Sequence, residues 1–403
     1  MVVEKKKINV GLIGYKFMGK AHSHAYRDLP FYFENSAVPV LKTVAGRNPE
    51  GVKKASEHYG FQGYTTNWKN LLEDEEIDLI DIVTPNNTHV EMTIAAARAG
   101  KHILCEKPLA MTTAEAYRIL ETVKENNVVH MICHNYRYTP AVQMAKKLIE
   151  EGKLGKIYHI RAHYLQDWIM DPKIPLVWRL KKEVTGYGAH GDIGAHIIDL
   201  ARFLIGEFSE VTGMMQTFIK ERPISTDSDG LSGSTASDKT GQVDVDDATA
   251  FLAKFSNGAF GVFEATRFAG GNRNGNRFEI NGEKGSIRWD MENMNNLEVY
   301  FDNDPKGLQG FRTINCTEEV HPFAGAYWPP GHIIGYEHTF INLLKTLIDG
   351  ISEGIIPTPN FEDGLLNQAV LEAVEKSAEK GTWISIKEVL EQAKAESCKH
   401  LSN

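Results

Sequence analysis

Four cysteines in 403 residues are too few and too scattered to staple a fold. Cys105, Cys133, Cys316 and Cys398 show neither CxxC nor CxH spacing, so a disulfide framework and a structural zinc site are both unexpected. Long apolar runs are also missing: none approaches the roughly 18–20 residues that a bilayer span needs. The N-terminus lacks the charged, apolar, small-residue order of a secretory signal, and the cytoplasm is the expected compartment. Positive charge is in deficit, with 44 Lys and Arg against 53 Asp and Glu, a net of -9. That balance gives no electrostatic basis for nucleic acid or an acidic membrane as partner. The one basic run, Lys5-Lys6-Lys7, precedes the first strand and reads as solvated. No internal repeat is visible.

What is present fits a globular protein: 42% hydrophobic and 24% charged residues. The length exceeds one ordinary core, which predicts two domains. Ile8 to Ile13 is a short apolar strand that runs into Gly14-Tyr15-Lys16-Phe17-Met18-Gly19 and then a helical segment. Strand, glycine turn and helix bring backbone N–H groups and a positive helix end to a pyrophosphate. G-x-G-x-x-G would require glycine at position 16, where Lys16 stands, so that side chain either crowds the phosphates or pairs with them.

The surroundings repeat the pattern. Val38 to Ala45, Ile77 to Val83, His102 to Cys105 and Val128 to Cys133 read as strands, separated by helical segments. Thr88-His89-Val90-Glu91 and Thr112-Thr113-Ala114-Glu115 read as capping boxes. Such alternation predicts a doubly wound parallel sheet, a Rossmann domain over 1–135. Ligands gather at the carboxyl ends of its strands. Gly14, Thr84-Pro85-Asn86, Glu106-Lys107-Pro108 and Asn135-Tyr136-Arg137 all lie just past strand ends. Dinucleotide contacts are therefore expected from Gly14, Lys16, Phe17, Met18, Thr84, Pro85, Asn86, His89, Glu106, Lys107 and Asn135. An NAD enzyme usually places an acid at the end of the second strand. Here that end reads Ala45-Gly46-Arg47-Asn48, and Arg47 suits a 2′-phosphate. The cofactor is thus NAD(P), leaning to NADP, with Gly46 and Arg47 at the adenosine ribose.

Beyond residue 136 strand signals dominate. Ile157 to Tyr164 alternates, and Ala248 to Phe255 and Ala259 to Thr266 flank a hairpin turn. Arg277 to Ile280, Ser286 to Trp289, Leu297 to Phe301 and Phe311 to Asn315 add strands, and helices return from Tyr336. An α+β domain over 136–403 with a large, mostly antiparallel sheet is predicted. Ser225 to Gly241, rich in Ser, Thr, Gly and Asp, reads as a surface loop. An open sheet face needs covering, so a homodimer or homotetramer is expected.

In Gly186-Tyr187-Gly188-Ala189-His190-Gly191-Asp192-Ile193-Gly194-Ala195-His196-Ile197-Ile198-Asp199, the residues Asp192, His196 and Asp199 fall at i, i+4 and i+7. A helix would put all three on one face, with a carboxylate one turn from an imidazole. With no third ligand at suitable spacing, no metal is expected there.

Glu106-Lys107-Pro108 after a strand, followed by the Gly186 to Asp199 stretch, resembles the Gfo/Idh/MocA family of sugar oxidoreductases. Further segments resemble the anhydrosugar-oxidising branch of that family: Gly14-x-x-Phe17-Met18-Gly19-Lys20-Ala21-His22-Ser23, Leu165 to Trp168, Trp178-Arg179, Val243 to Asp247 and Trp328 to Tyr336. The resemblance implies a Rossmann domain followed by an α/β domain. It implies Lys107, Asp192 and His196 as catalytic residues, and Glu106, Thr84-Pro85-Asn86 and Trp178-Arg179 as cofactor contacts. Lys16 and Gly46 depart from the family pattern.

The implied reaction moves hydride between a secondary hydroxyl of a sugar, anhydrosugar or inositol and a nicotinamide. His196 suits the base, since its ordinary pKa of about 6.5 lies near working pH. Lys107 would donate to the same oxygen, and Asp192 would orient substrate hydroxyls or the imidazole. Tyr136, Gln166, Trp168, Trp178 and His332 offer the aromatic faces and polar groups that suit a polyol. The rival readings are a glycosidase or lyase that retains NAD, and a non-catalytic nucleotide-binding regulator.

Overall fold

The computed structural model describes residues 5–227 and 234–400. The chain begins β1 (Lys6–Ile13), α1 (Phe17–Tyr32), β2 (Ala37–Ala45), α2 (Pro49–Tyr59), β3 (Gly63–Thr65) and α3 (Asn70–Glu73). It continues β4 (Leu79–Ile82), α4 (His89–Arg98), β5 (His102–Cys105), α5 (Thr113–Glu125) and β6 (His130–Ile132). The six strands form one parallel sheet in the order β3-β2-β1-β4-β5-β6. Ile8, Val10 and Leu12 of β1 and every residue of β4 are buried, as central strands covered on both faces should be. Because all strands run the same way, the turns after β1, β4, β5 and β6 share one edge, the expected ligand edge.

One strand goes unread by the sequence patterns, and one local expectation is corrected. Edge strand β3 carries only Gly63-Tyr64-Thr65, too short for periodicity to reveal. Thr88 does not cap α4: its hydroxyl bonds the Pro85 carbonyl (2.7 Å) and Thr84 Oγ1 (2.6 Å), closing a 3₁₀ turn over Asn86–Thr88.

After α6 (Pro140–Glu150) come β7 (Ile157–Leu165), α7 (Lys182–Thr185), α8 (Ala195–Ile205) and β8 (Phe208–Gln216). Strands β9 (Glu221–Asp227), β10 (Ser234–Gln242), β11 (Ala248–Phe255), β12 (Phe260–Thr266), β13 (Gly275–Gly282) and β14 (Gly285–Asp290) follow. The chain closes with β15 (Asn296–Phe301), β16 (Arg312–Asn315), α9 (Tyr336–Glu353), α10 (Phe361–Lys380), β17 (Ile384–Ser385) and α11 (Ile386–His400). The second sheet has nine strands, β16-β15-β14-β13-β7-β12-β11-β8-β17, antiparallel except where β12 runs parallel to β7. Its inner face stacks Phe251 on Phe263 (ring centroids 4.6 Å apart) and buries Phe208 and Phe255 beside them.

The segment read as a surface loop, Ser225 to Gly241, is corrected as well. β9 and β10 pair antiparallel within it, and residues 228–233 lie outside the described residues. Polar strands held by backbone pairing carry no apolar alternation to read.

Two compact units emerge. One comprises Met1–Ala110, Ala114–Tyr138 and Gly335–Leu366, so that α9 joins the parallel sheet and packs along α1. The other comprises Met111–Thr113, Thr139–Ile334 and Asn367–Asn403.

Candidate functional site

In the first unit β1 ends at Ile13 and Gly14 turns the chain at φ +107°, a conformation that favours glycine. A Cβ there would stand 2.9 Å from the Val83 carbonyl oxygen, and one at Gly19 would stand 2.6 Å from the Gly14 carbonyl oxygen. These two glycines let α1 start tight against β1, which is what a phosphate cradle requires. Lys16, at the position of the missing glycine, sits at φ -78°, an ordinary value for lysine. Its ammonium lies 5.5 Å from the centroid of the Tyr15 ring. Phe17 is exposed and Met18 half-buried at the start of α1.

At the end of β2, a Cβ on Gly46 would come 2.3 Å from the Tyr15 ring. The aromatic ring therefore fills the space that an acidic side chain would take. Arg47 next to it is exposed, and Asn48 caps α2 by accepting the Gly51 N–H at 2.8 Å. After β4, Thr84, Pro85 and Asn86 form the turn already described. His89 beneath it is fully buried, with Nε2 2.9 Å from the Thr84 carbonyl and Nδ1 2.9 Å from the Pro108 carbonyl. Its ring braces the two loops against each other, and burial draws its pKa down despite those carbonyls.

Glu106 follows β5, and one of its oxygens accepts the Lys107 N–H at 3.1 Å. Lys107 is half-buried and joined to Pro108 by a cis bond. Asn135 donates to Thr339 Oγ1 at 2.8 Å, and the ring of Tyr136 lies 6.3 Å from that of Tyr336. The other Glu106 oxygen meets a residue given no role by sequence reasoning. His22, on α1, places Nε2 3.1 Å from Glu106 Oε1 and Nδ1 2.8 Å from Asp81 Oδ2. Burial alone would lower the pKa of His22, but the Asp81 charge and Cys133 outweigh it and raise it well above its ordinary value. Burial would raise Glu106; the hydrogen bond and charge of His22, with Lys107, bring it down instead.

The linked stability has a definite sign. The His22 contribution is complete below its unfolded pKa of about 6.5 and is lost as pH rises through the raised folded value. The Glu106 contribution is present above the ordinary carboxylate range and is lost as pH falls through its lowered value. The melting temperature of the wild-type chain is thus expected to fall on the alkaline side, with Asp81→Asn moving that limb to lower pH. Calorimetry across pH tests this; superimposable alkaline limbs in the two proteins would count against it.

In the second unit the Gly186 to Asp199 stretch departs from a plain helix. Residues His190–Gly194 form a widened π turn and α8 begins only at Ala195, so Asp192 stands on the turn while His196 and Asp199 stand on the helix. The cause is Asp246, whose carboxylate accepts the N–H groups of Gly188 and His190, both at 2.7 Å. A Cβ on Gly188 would lie 1.8 Å from the Asp246 carbonyl oxygen. Asp192 pairs with Arg267 at 2.8 Å, and the same guanidinium donates to the Gly188 carbonyl at 3.1 Å and lies over the Trp168 ring. Asp192 is therefore tied to a buried arginine that sequence reasoning missed.

His196 is 8% exposed, its ring 5.8 Å from that of Tyr164. Tyr164 donates to Asn274 Oδ1 (2.5 Å), which also accepts from Gln166 (3.2 Å), and Trp168 donates to Gln166 Oε1 (3.0 Å). This hydrogen-bonded chain brings predicted residues Gln166 and Trp168 together with unpredicted Tyr164 and Asn274. Arg179 stacks on Trp178, 4.2 Å from the ring centroid. Burial lowers the Arg179 pKa, opposed by Asp192 and reinforced by Arg267. His332 lies on an exposed loop with Nδ1 2.8 Å from the Pro329 carbonyl, outside the Tyr164–Asn274 set.

The missed residues left faint signals. Asp81 is a lone carboxylate inside the apolar strand Leu79-Ile80-Asp81-Ile82, and Arg267 follows an apolar strand directly. Both are the residue type that must find a partner when buried. Neither partner lies nearby in sequence.

Comparison with known proteins agrees with this architecture. Residues 8–134 match a model described as an oxidoreductase family, NAD-binding Rossmann fold, and residues 142–288 match the GFO/IDH/MocA C-terminal domain. The chain is 44% identical to levoglucosan dehydrogenase of Pseudarthrobacter phenanthrenivorans, over 95% of this chain and 99% of that protein. It superposes on a structure of levoglucosan dehydrogenase in complex with NADH and levoglucosan with a TM-score of 0.90, at 44% identity, covering 94% of this chain and 100% of that one. An oxidoreductase domain protein from Kribbella flavida superposes equally, with a TM-score of 0.90, 46% identity and coverage of 94% and 99%. No helix among the described residues is long and apolar enough to cross a membrane.

Proposed function

As the chain belongs to the GFO/IDH/MocA family of oxidoreductases, we propose that it oxidises a secondary hydroxyl of a pyranose-sized sugar, with an anhydrosugar favoured over inositols. The observation that carries the reading is the 44% identity to levoglucosan dehydrogenase along almost the whole of both proteins. The residues present suit the nucleotide: Gly14 and Gly19 leave room for a pyrophosphate, and Thr84, Asn86, Glu106 and Asn135 line the same edge of the parallel sheet. We assign nucleotide binding to the first unit, and sugar binding to the second through Gln166, Trp168, Trp178 and Asp192.

Bound nicotinamide supplies the hydride acceptor. In the reading proposed here, His196 takes the hydroxyl proton, imidazole being the side chain most often used as a general base. Lys107 donates a hydrogen bond to the same oxygen and stabilises the charge it develops. Asp192, fixed by Arg267, orients neighbouring hydroxyls, leaving Arg267 as the group that sets its direction.

Levoglucosan dehydrogenase with NADH supports NAD for this chain, while exposed Arg47 and the absence of an acid at Gly46 support use of NADP as well. Arg47→Ala is expected to weaken NADP binding about tenfold, the worth of one lost charge-assisted contact, and to leave NAD nearly unchanged. Fluorescence titration with both reduced cofactors tests this, and equal losses would remove the 2′-phosphate role.

Self-association belongs to the same proposal. Met214, Leu252, Phe260 and Val262 are exposed together on the outer face of the nine-stranded sheet, more apolar surface than a solvated face usually shows. Sedimentation at micromolar concentration is expected to give a dimer or tetramer; a monomer there would refute it.

The reaction is tested by incubating the chain with NAD or NADP and a panel of anhydrosugars, pyranoses and inositols. Steady accumulation of reduced nicotinamide is expected, strongest with an anhydrosugar. Cleavage of a glycoside without net reduction would instead establish a lyase that retains its cofactor.

A further inference from the structure

The buried cluster beneath Glu106 has no part in the reaction as described so far. His22 is 1% exposed, Asp81 0% and Glu106 6%, and the Phe340 ring lies 5.4 Å from the imidazole. Asp81 approaches Nδ1 with both oxygens (2.8 and 3.1 Å), and Glu106 faces Nε2. A neutral imidazole has a single N–H and can donate to only one of them; an imidazolium donates to both. Two carboxylates buried together also require a cation, and among the described side chains His22 is the one bonded to both. The raised pKa of His22 agrees with this charge state. Beside the two carboxylates stand the titratable groups Tyr26, Cys105 and Cys133; Cys133 Sγ is 3.5 Å from Nε2, and its thiol is pushed up to about 12, which leaves it neutral.

We propose that His22 is a positioning residue: clamped by Asp81, it fixes the Glu106 carboxylate, which in turn holds the Lys107 backbone. The Glu106 group is held at both ends, Oε1 by His22 and Oε2 by the Lys107 N–H. Its own N–H donates to the Ile82 carbonyl at 2.9 Å, anchoring the segment to β4. The peptide nitrogen of Lys107 is thereby set from inside the sheet, by groups 59 and 84 residues apart in sequence. A loop held this way keeps its side chain within the narrow range that a hydrogen bond to a developing oxyanion needs. His22, Glu106 and Cys133 lie close enough to bind a metal ion, with ligand atoms within 4.8 Å of one another. The Nε2–Glu106 hydrogen bond instead assigns that space to a proton.

The inference rests on Lys107 acting in the reaction, and the test separates the two ideas. His22→Gln keeps an amide donor but removes the cation. Because it leaves a buried carboxylate unbalanced, His22→Gln with Asp81→Asn is made alongside as a charge-balanced variant. In both, kcat with an anhydrosugar and NAD is expected to fall about tenfold, while KM for NAD changes less than about threefold. In a Lys107→Ala background, His22→Gln is expected to cost no further rate, because it acts through the residue already removed. An additive loss in that background, normal kcat in the charge-balanced variant, or one equivalent of tightly bound transition metal per chain would each overturn the proposal. Normal turnover of Lys107→Ala by itself would refute the role of Lys107, a separate result.

Discussion

Lys107→Ala is expected to lose roughly two to three orders of magnitude in kcat, the usual cost of removing a donor aimed at a developing oxyanion. Binding of NAD should change little. Lys107 is only half-buried, and the Gly14 turn, the Thr84 turn and Glu106 are untouched by the substitution. The expected signature is therefore a folded protein that binds reduced nicotinamide and turns over slowly. Rapid-mixing kinetics with an anhydrosugar separate the chemical step from cofactor release. A variant whose kcat stays within a few-fold of wild type would end the assignment and leave His196 as the one side chain proposed to act on the reacting oxygen.

Gly188→Ala should be the most damaging single methyl group in the second unit. Its Cβ would sit 1.8 Å from the Asp246 carbonyl oxygen, far inside van der Waals contact, and the obstacle is backbone. The chain must move there, which breaks the Gly188 N–H bond to Asp246 and the Ala189 N–H bond to the Asp246 carbonyl (3.0 Å). The Gly188 carbonyl bond to Arg267 would go with them. Overpacking of a rigid site costs typically about 1–3 kcal/mol, and each buried hydrogen bond lost adds about 1 kcal/mol. The expected result is a melting temperature lower by roughly 10 °C or more, or a chain that fails to accumulate. Activity should fall further than stability, because Asp192 sits on the same turn. Gly191→Ala offers an internal comparison: its Cβ would meet the Tyr187 side chain at 2.8 Å, and a side chain can give way. Equal melting temperatures for Gly188→Ala and wild type would show that the π turn is not held by Asp246.

Much of this was legible in one dimension. Strand followed by helix is a local pattern, so the parallel sheet and its ligand edge could be read from apolar runs and the turns that end them. The hairpin at Ser256-Asn257-Gly258 was equally plain, since turn chemistry sits in three adjacent residues. β9 and β10 were not, because polar strands paired through their backbones leave no apolar alternation. The helix expected over Asp192 to Asp199 was half right. Its spacing is that of a helix, but the turn that opens it is shaped by Asp246, more than fifty residues onward.

By itself, then, the sequence determined the two kinds of sheet and the glycine turn after the first strand, and it put forward Lys107, Asp192 and His196 as the set to test. Only the tertiary structure decided which buried charge answers which: His22 for Asp81 and Glu106, Arg267 for Asp192. The reason is physical. Local patterns follow from backbone sterics and periodic burial, whereas a charge removed from water takes whatever counter-charge the fold brings within reach, at any distance along the chain.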